Sequence, residues 1–381
     1  MTTQTQALPS SNGILMVSLA GLAVSLAVVL FTLVLGEGHA SFNTQSSGVV
    51  WGLPVATYVY FVLTSTGLTF VASLAMVFDI KEFYPIAKRC VWLAIATLIA
   101  GFASLALEIG HPFRMIWAIP AGMQFASPLL WMGVFYALYL VLLLLKFQRM
   151  NSGDWASGGS YGLGVASFVT VVLAHGTLGA VFGMMAMRPF WYGPLIPLYF
   201  LLTAALSGAA FAILITYLAY GSQAAMPERV RALMRGAMPK VFAAVLGISL
   251  IAAVSRMATG LWSNADGLEV WKHVVASPWF WLEMGGLAVA FLLMLAPGIR
   301  GEGSMQLAAA VMVAVALFIG RYEYVIGGQL VTLFKGAWES GLAQYTPSLT
   351  EWMLTLLAVS LAFGLWAFGE KRLDLAARPA E

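Results

Sequence analysis

Long apolar runs separated by short polar stretches dominate the chain. A membrane-spanning helix needs roughly 20 apolar residues, and the sequence predicts ten such spans. A transmembrane barrel would instead show weakly alternating segments of roughly ten residues. The pattern therefore predicts an all-α, polytopic membrane protein that forms a single integral membrane domain over 1–381. The approximate spans are 14–36, 54–78, 90–110, 129–147, 162–187, 194–220, 240–262, 280–297, 304–321 and 350–369.

Composition narrows the possible chemistry. The chain is 61% hydrophobic and 9% charged, whereas soluble domains are about 25% charged, so a soluble globule is excluded. One cysteine, Cys90, excludes an intrachain disulfide, a protein-held iron–sulfur cluster and a C-x-x-C-H haem attachment. His175 is the only histidine well inside a span, which argues against a haem with two histidine ligands. We therefore expect no metal, haem or cluster in this chain, and a net charge of +3 does not indicate a nucleic-acid partner.

Lysine and arginine set the orientation, because they concentrate in cytoplasmic loops. One set of loops carries 13 of the 19 basic residues and the opposite set carries 5, with Arg256 inside the seventh span. The asymmetry predicts that both termini are cytoplasmic. The expected location is a bacterial cytoplasmic membrane.

Two short strings recur along the chain and suggest an internal repeat. The string 126–131 resembles 276–281, and 60–64 resembles 199–203. This spacing predicts two four-helix bundles, spans 2–5 and spans 6–9, related as parallel repeats. The expected bounds are 54–187 and 194–321, with a loop at 322–349 and peripheral first and last spans, the last at 350–369.

A charge inside the membrane is costly, so ionisable residues within predicted spans are candidate functional residues, and four of them are singled out. Glu108 ends the third span, and His175 lies near the middle of the fifth. Arg256 and Glu283 lie near the outer ends of the seventh and eighth spans. The alternative is structural: the charged residues could form an ion-pair network, and His175 could be a packed core histidine.

Further polar residues lie at the same side of the membrane. His111 and Arg114 follow the third span, and Tyr58 lies in the second. Arg321 and Glu323, at the end of the ninth span, are expected to reach water. A carboxylate, imidazoles and guanidinium groups together suit a quinone, since donors can hold its carbonyl oxygens and a carboxylate can exchange protons. Redox chemistry would then use this diffusible carrier.

Several strings resemble the NrfD/PsrC family of membrane subunits, which includes polysulfide reductase. The string Glu108-Ile-Gly-His-Pro-Phe-Arg114 is similar to the Asp-Leu-Gly-Arg-Pro segment at the end of a span in that family. Ile326-Gly-Gly-Gln329 and Tyr345-Thr-Pro-Ser348 look most like the ten-span DsrP and HybB branch. Glu108 replaces the usual Asp, and His111 stands where Arg is usual, so Arg114 is the candidate for the missing guanidinium.

The resemblance implies a quinone-reactive anchor of a multisubunit respiratory oxidoreductase, with menaquinone or ubiquinone as the diffusible substrate. Its partners would be an extracytoplasmic ferredoxin-like iron–sulfur subunit and a catalytic subunit of molybdopterin, nickel–iron or sulfur-metabolism type. Glu108 would exchange protons, with His175, Arg256, His111, Arg114, Glu283 and Tyr58 around the quinone. Two other hypotheses stay open: a secondary transporter, suggested by the repeat, and a purely structural membrane anchor.

Overall fold

The computed structural model describes residues 9–44, 48–110, 114, 117, 121–263, 267–331 and 341–377, and in these the chain is built of helices. The helices are α1 Pro9–Leu30, α2 Leu53–Met76, α3 Tyr84–Glu108, α4 Pro128–Asn151, α5 Gly158–Gly183, α6 Ile196–Tyr220, α7 Glu228–Arg235, α8 Ala237–Trp262, α9 Val270–Ala276, α10 Pro278–Leu295, α11 Gly303–Gly327 and α12 Leu349–Arg372. Ten helical segments are long and apolar enough to cross a membrane. Two short helices, α7 and α9, directly precede the spanning helices α8 and α10. The prediction of an all-α protein with ten spans is confirmed.

Two helices are longer than the apolar pattern predicted. Helix α3 begins at Tyr84 instead of near 90, and α11 continues to Gly327 instead of ending near 321. Charged residues in these extra turns or next to them are buried by contacts with other helices. Arg89 forms a buried salt bridge with Glu370 of α12, and Arg321 is only 2% exposed. The sequence predicted that Arg321 reaches water. The structure contradicts this prediction, because the helix bundle encloses the side chain.

Helix α2 is the most enclosed span and joins the two predicted bundles. Its Gly67 packs directly against the backbone of Gly208 in α6, and a β-carbon at either position would overlap the other helix. Thr64 and Ser207 hydrogen-bond at 2.8 Å beside this contact. Small residues let membrane helices approach closely, so the backbones of α2 and α6 are in direct contact at this point. This arrangement is compatible with the predicted repeat.

The first and last spans differ in how deeply they are buried. In α1, 17% of the spanning segment is buried, against 56% in α12. Helix α1 packs on α12 through small residues, with Gly21 facing Ser360 and Gly364 facing Ser18. Helix α1 is therefore peripheral as expected, whereas α12 is an integral part of the bundle.

The two ends of the bundle carry different polar contacts. At the end where α3 finishes, which we call the Glu108 end, Gln329 receives hydrogen bonds from the backbone of Val50 and Trp51 at 2.9 Å each. At the opposite end, Lys146 is fully buried and donates to the Ser160 hydroxyl (2.7 Å) and to the Ser160 and Trp155 carbonyls. Buried polar groups need such partners, so both ends are held by specific hydrogen bonds.

Candidate functional site

A cavity of about 800 Å³ lies between α2, α3, α4 and α5 toward the Glu108 end. This volume is within the roughly 300–1,000 Å³ of ordinary small-molecule sites. Most of its wall is apolar or aromatic, with a few polar groups. Its lining residues include Trp51, Tyr58, Phe102, Leu105, Glu108, Arg114, Gln124, Ser127, Leu129, Gly133, Tyr136 and Phe182. An apolar wall with few polar groups is typical of a site for a hydrophobic ligand that carries polar atoms at one end.

Glu108 places a carboxylate in the cavity wall because α3 ends there. Its side chain is half-buried and forms no salt bridge with any residue in the described part of the chain. Its main-chain carbonyl accepts a hydrogen bond from Nε2 of His39 at 3.2 Å. Since a carbonyl only accepts, Nε2 of His39 carries the hydrogen. His39, which is exposed, thus holds the end of α3 at the cavity mouth.

Two tyrosines place phenol groups in the cavity. Tyr58 of α2 has only a weak contact at 3.9 Å, from its hydroxyl to the sulfur of Met132. Tyr136 of α4 is fully buried, and its phenol oxygen lies 2.9 Å from Nδ1 of His175. Both tyrosines therefore form part of the cavity wall.

His175 lies behind this wall and does not line the cavity. Its Nδ1 also lies 3.2 Å from the Thr66 hydroxyl, which donates to the carbonyl of Val62 at 2.9 Å. Its Nε2 is buried with no hydrogen-bond partner among the described residues. The sequence predicted that His175 contacts a quinone, whereas in the structure it does not line the cavity and contacts the cavity residue Tyr136.

Arg256 and Glu283 lie in a second group of charged residues, among α8, α10 and α11, and neither lines the cavity. The Arg256 guanidinium donates to the carbonyl of Phe190 at 3.0 Å. Four aromatic rings surround it, with ring centres 4.6 to 5.6 Å away. These rings are those of Phe190, Tyr199, Trp271 and Tyr324. The cation is thus stabilised mainly by aromatic faces.

Arg321 and Glu323 of α11 complete this second group, which we call the arginine cluster (Arg256, Glu283, Arg321 and Glu323). Arg321 donates to the Thr203 hydroxyl and lies over the ring of Phe200 at 4.9 Å. Phe200 also contacts the ring of His175, with centres 5.9 Å apart. One aromatic ring therefore separates the arginine cluster from the histidine behind the cavity.

No pair within the arginine cluster forms a direct salt bridge; in the described residues the salt bridges are Arg89–Glu370 and Arg149–Asp154. The Glu283 carboxylate instead packs over Gly320, where a side chain would collide with it. The arginine cluster is thus not the ion-pair network that the sequence left open as an alternative, but a looser group of charges held by aromatic and backbone contacts.

The predicted site residues therefore fall into three groups. Glu108, Arg114 and Tyr58 line one cavity, His175 lies one side chain behind it, and Arg256 and Glu283 are elsewhere. His111 is outside the described residues. No group of three or more metal-ligating side chains comes together in the part of the chain that the structure describes.

Sequence reasoning missed Tyr136, Gln124 and Ser127, which line the cavity, and His39 at its mouth. The available signal for Tyr136 was a phenol inside the fourth span on the same helix face as Met132 and Gly133, which precede it by four and three residues. In a chain with 13 tyrosines and 13 tryptophans, such a residue looks like an ordinary membrane aromatic.

Proteins similar to this chain are reductase and oxidoreductase subunits by name. A subunit of the selenate reductase of Mesobacillus selenatarsenatis is 24% identical, over 87% of this chain and 87% of its own length. The Hdr-like menaquinol oxidoreductase integral membrane subunit of Archaeoglobus fulgidus is 25% identical, over 86% of each chain. A putative membrane subunit of the dimethyl sulfoxide reductase of Halobacterium salinarum is 23% identical, over 88% of this chain and 87% of its own length.

The family described as polysulphide reductase, NrfD, matches residues 41–333. This match covers most of the chain, including α2 to α11 and every described residue of the cavity. With the ten spans and these relatives, it confirms the resemblance read from the sequence. The chain is a multi-pass integral membrane protein of the NrfD family.

Proposed function

We propose that the chain is the quinone-reactive membrane subunit of an oxidoreductase complex, and that the cavity beside Glu108 is its quinone site. The observation that carries the proposal is that one apolar cavity is lined by a glutamate, Glu108, and by two tyrosines, Tyr58 and Tyr136. A quinone head needs apolar walls, donors to its two oxygens and a group that exchanges protons. The name of the Archaeoglobus relative, a menaquinol oxidoreductase subunit, supports menaquinone or ubiquinone as the ligand.

Tyr136 is the proposed donor to one quinone oxygen. The hydroxyl of Thr66 donates to the Val62 carbonyl, so it accepts from Nδ1 of His175, which then carries the hydrogen. The phenol oxygen of Tyr136 accepts from the same Nδ1–H, and its own hydrogen is free to point into the cavity. His175 thus orients the phenol, and Tyr136 makes the contact that the sequence assigned to His175.

Glu108 is the proposed proton exchanger, because it borders both the cavity and the exposed residues Gly110 and Arg114. When a quinol is oxidised, two electrons leave for an electron-transfer partner and two protons leave the oxygens. The Glu108 carboxylate takes up protons and passes them to water at the mouth. Quinone reduction uses the same groups in the opposite direction.

The proposed partners follow from the resemblance and from the relatives' names as reductase and oxidoreductase subunits. A ferredoxin-like iron–sulfur subunit would dock at the Glu108 end, since the quinone site is there, and would pass electrons to or from a catalytic subunit. The asymmetry in lysine and arginine between the loops supports an orientation with this end outside the cell and both termini in the cytoplasm. The transporter alternative has less support, because α2 to α6, α8 and α10 to α12 each run continuously, without the broken helices of such sites.

Photoaffinity labelling of the assembled complex tests the placement of the site. An azidoquinone is photolysed on the complex in membranes, and labelled peptides are identified by mass spectrometry. We expect label in peptides from 53–59, 102–110 and 122–136, in competition with unmodified quinone. Label confined to 237–327, where the arginine cluster lies, would place the site in the other bundle.

A further inference from the structure

The exposed residues of the cavity wall fall into two groups, which indicates two openings. At the Glu108 end, the exposed lining residues are Gly110, Arg114, Gly122 and Gln124. These are polar or lack side chains, as is typical of a mouth that faces water. The second group is on the flank of α4.

The second group is Leu129 and Gly133, which line the cavity and are exposed. They are four residues apart and so lie one above the other on the same helix face. The same helix exposes Leu138 and Val141 farther along, so this flank of α4 faces the acyl chains of the lipid.

Gly133 leaves an actual gap in this wall. A β-carbon at this position would meet no heavy atom within 4 Å. On the neighbouring helix α3, the cavity residues Phe102 and Leu105 are only half-buried. By contrast, the cavity residues Val181 and Phe182 of α5 are buried. The side opening therefore lies between α3 and α4.

We infer that the isoprenoid tail of the quinone leaves the cavity between α3 and α4, past Gly133. This inference rests on the proposed quinone site. The polyprenyl tail of a quinone is apolar, so keeping it in an apolar medium is favourable. Lipid is the apolar medium next to Gly133, so the tail stays buried along its whole length. Gly133 then determines which substrates enter: long-tailed quinols need the gap, whereas tail-less ones can use the polar mouth.

Filling the gap tests this inference. We would replace Gly133 by Trp, and by the smaller Leu in case the first variant does not assemble. Turnover of the whole complex is measured in proteoliposomes with long-tailed menaquinol and with menadiol, which has no tail. The matched control is Gly285→Trp, on an exposed part of α10 where a β-carbon also meets nothing within 4 Å and which does not line the cavity.

We expect the KM for long-tailed menaquinol to rise at least tenfold in the Gly133 variants, and at least threefold more than the KM for menadiol. The control should change neither. Equal changes for both substrates, or none for either, would overturn the side opening and leave the quinone site itself intact. If the wild-type complex turned over neither quinol, the proposed function would fail instead.

Discussion

The phenol oxygen of Tyr136 lies 2.9 Å from Nδ1 of His175, and only the tyrosine of this pair lines the cavity. His175 is buried inside the helix bundle, and Tyr136 borders the cavity where a ligand can bind. It therefore links the histidine that the sequence singled out to the chemistry that we propose for the cavity.

Loss of the Tyr136 hydroxyl should weaken quinone binding. Tyr136→Phe removes one hydrogen bond to a quinone oxygen, and such a bond contributes about 1 kcal/mol, so we expect the KM for quinol to rise about fivefold. Steady-state quinol turnover of the complex measures it. The control is Tyr139→Phe, whose hydroxyl bonds Thr69 at 2.6 Å and Ser65 at 3.1 Å away from the cavity. An equal rise in the control would mean that the change reflects packing alone.

His175→Ala should also weaken quinone affinity, because the imidazole orients the phenol. If His175 acts through Tyr136, the double variant should be little worse than either single variant, as expected for residues that share one interaction. The quinol KM values of the four proteins give this coupling. Fully additive effects would show that His175 reaches the substrate by another route.

Arg256 should matter for stability more than for quinone affinity, since it does not line the cavity. Arg256→Lys keeps the charge but loses the flat guanidinium that four rings enclose, at a cost of up to about 2 kcal/mol. We expect a lower thermal midpoint of the solubilised complex and a quinol KM within twofold of wild type. Arg372→Lys, at an exposed position near the end of α12, is the control. A large KM change with unaltered stability would return Arg256 to the quinone site.

The proposed orientation can be tested with single cysteines. In a Cys90→Ala background, Gly122→Cys at the Glu108 end and Ser152→Cys at the opposite end are both at exposed positions. In intact cells, an impermeant maleimide should label position 122 and spare position 152 until the membrane is opened. Labelling of 152 alone in intact cells would reverse the topology.

The sequence allowed the number of spans to be predicted because each span must be apolar along about 20 residues whatever it packs against. It was less informative about charged residues at helix ends. Lys88 and Arg89 lie outside the predicted third span and Lys146 lies at the end of the predicted fourth span, yet all three are buried. Partners on other helices, such as Glu370 for Arg89 and Ser160 for Lys146, satisfy such charges.

The sequence predicted candidate site residues at a similar depth in the membrane, but not which helices bring them together. Glu108 and Arg256 lie near the same end of the protein, and the sequence grouped them for that reason. Which helices face one another depends on packing such as that of Gly67 on Gly208, and nothing in the apolar pattern of one helix specifies its neighbour. Glu108 thus borders the cavity, whereas the guanidinium of Arg256 is surrounded by aromatic rings beside α10 and α11.

The quinol turnover of a Glu108→Gln complex tests whether Glu108 exchanges protons with the quinone. Glutamine keeps the size of the side chain and can hydrogen-bond but cannot exchange protons. We expect quinone-coupled turnover to fall at least tenfold, which corresponds to about 1.4 kcal/mol of barrier, while assembly and activity with an artificial dye that bypasses the membrane subunit are retained. Glu302→Gln, at an exposed position at the opposite end, should turn over quinol at the wild-type rate. A normally assembled Glu108→Gln complex with wild-type quinol turnover would show that Glu108 is not the proton exchanger of the quinone site.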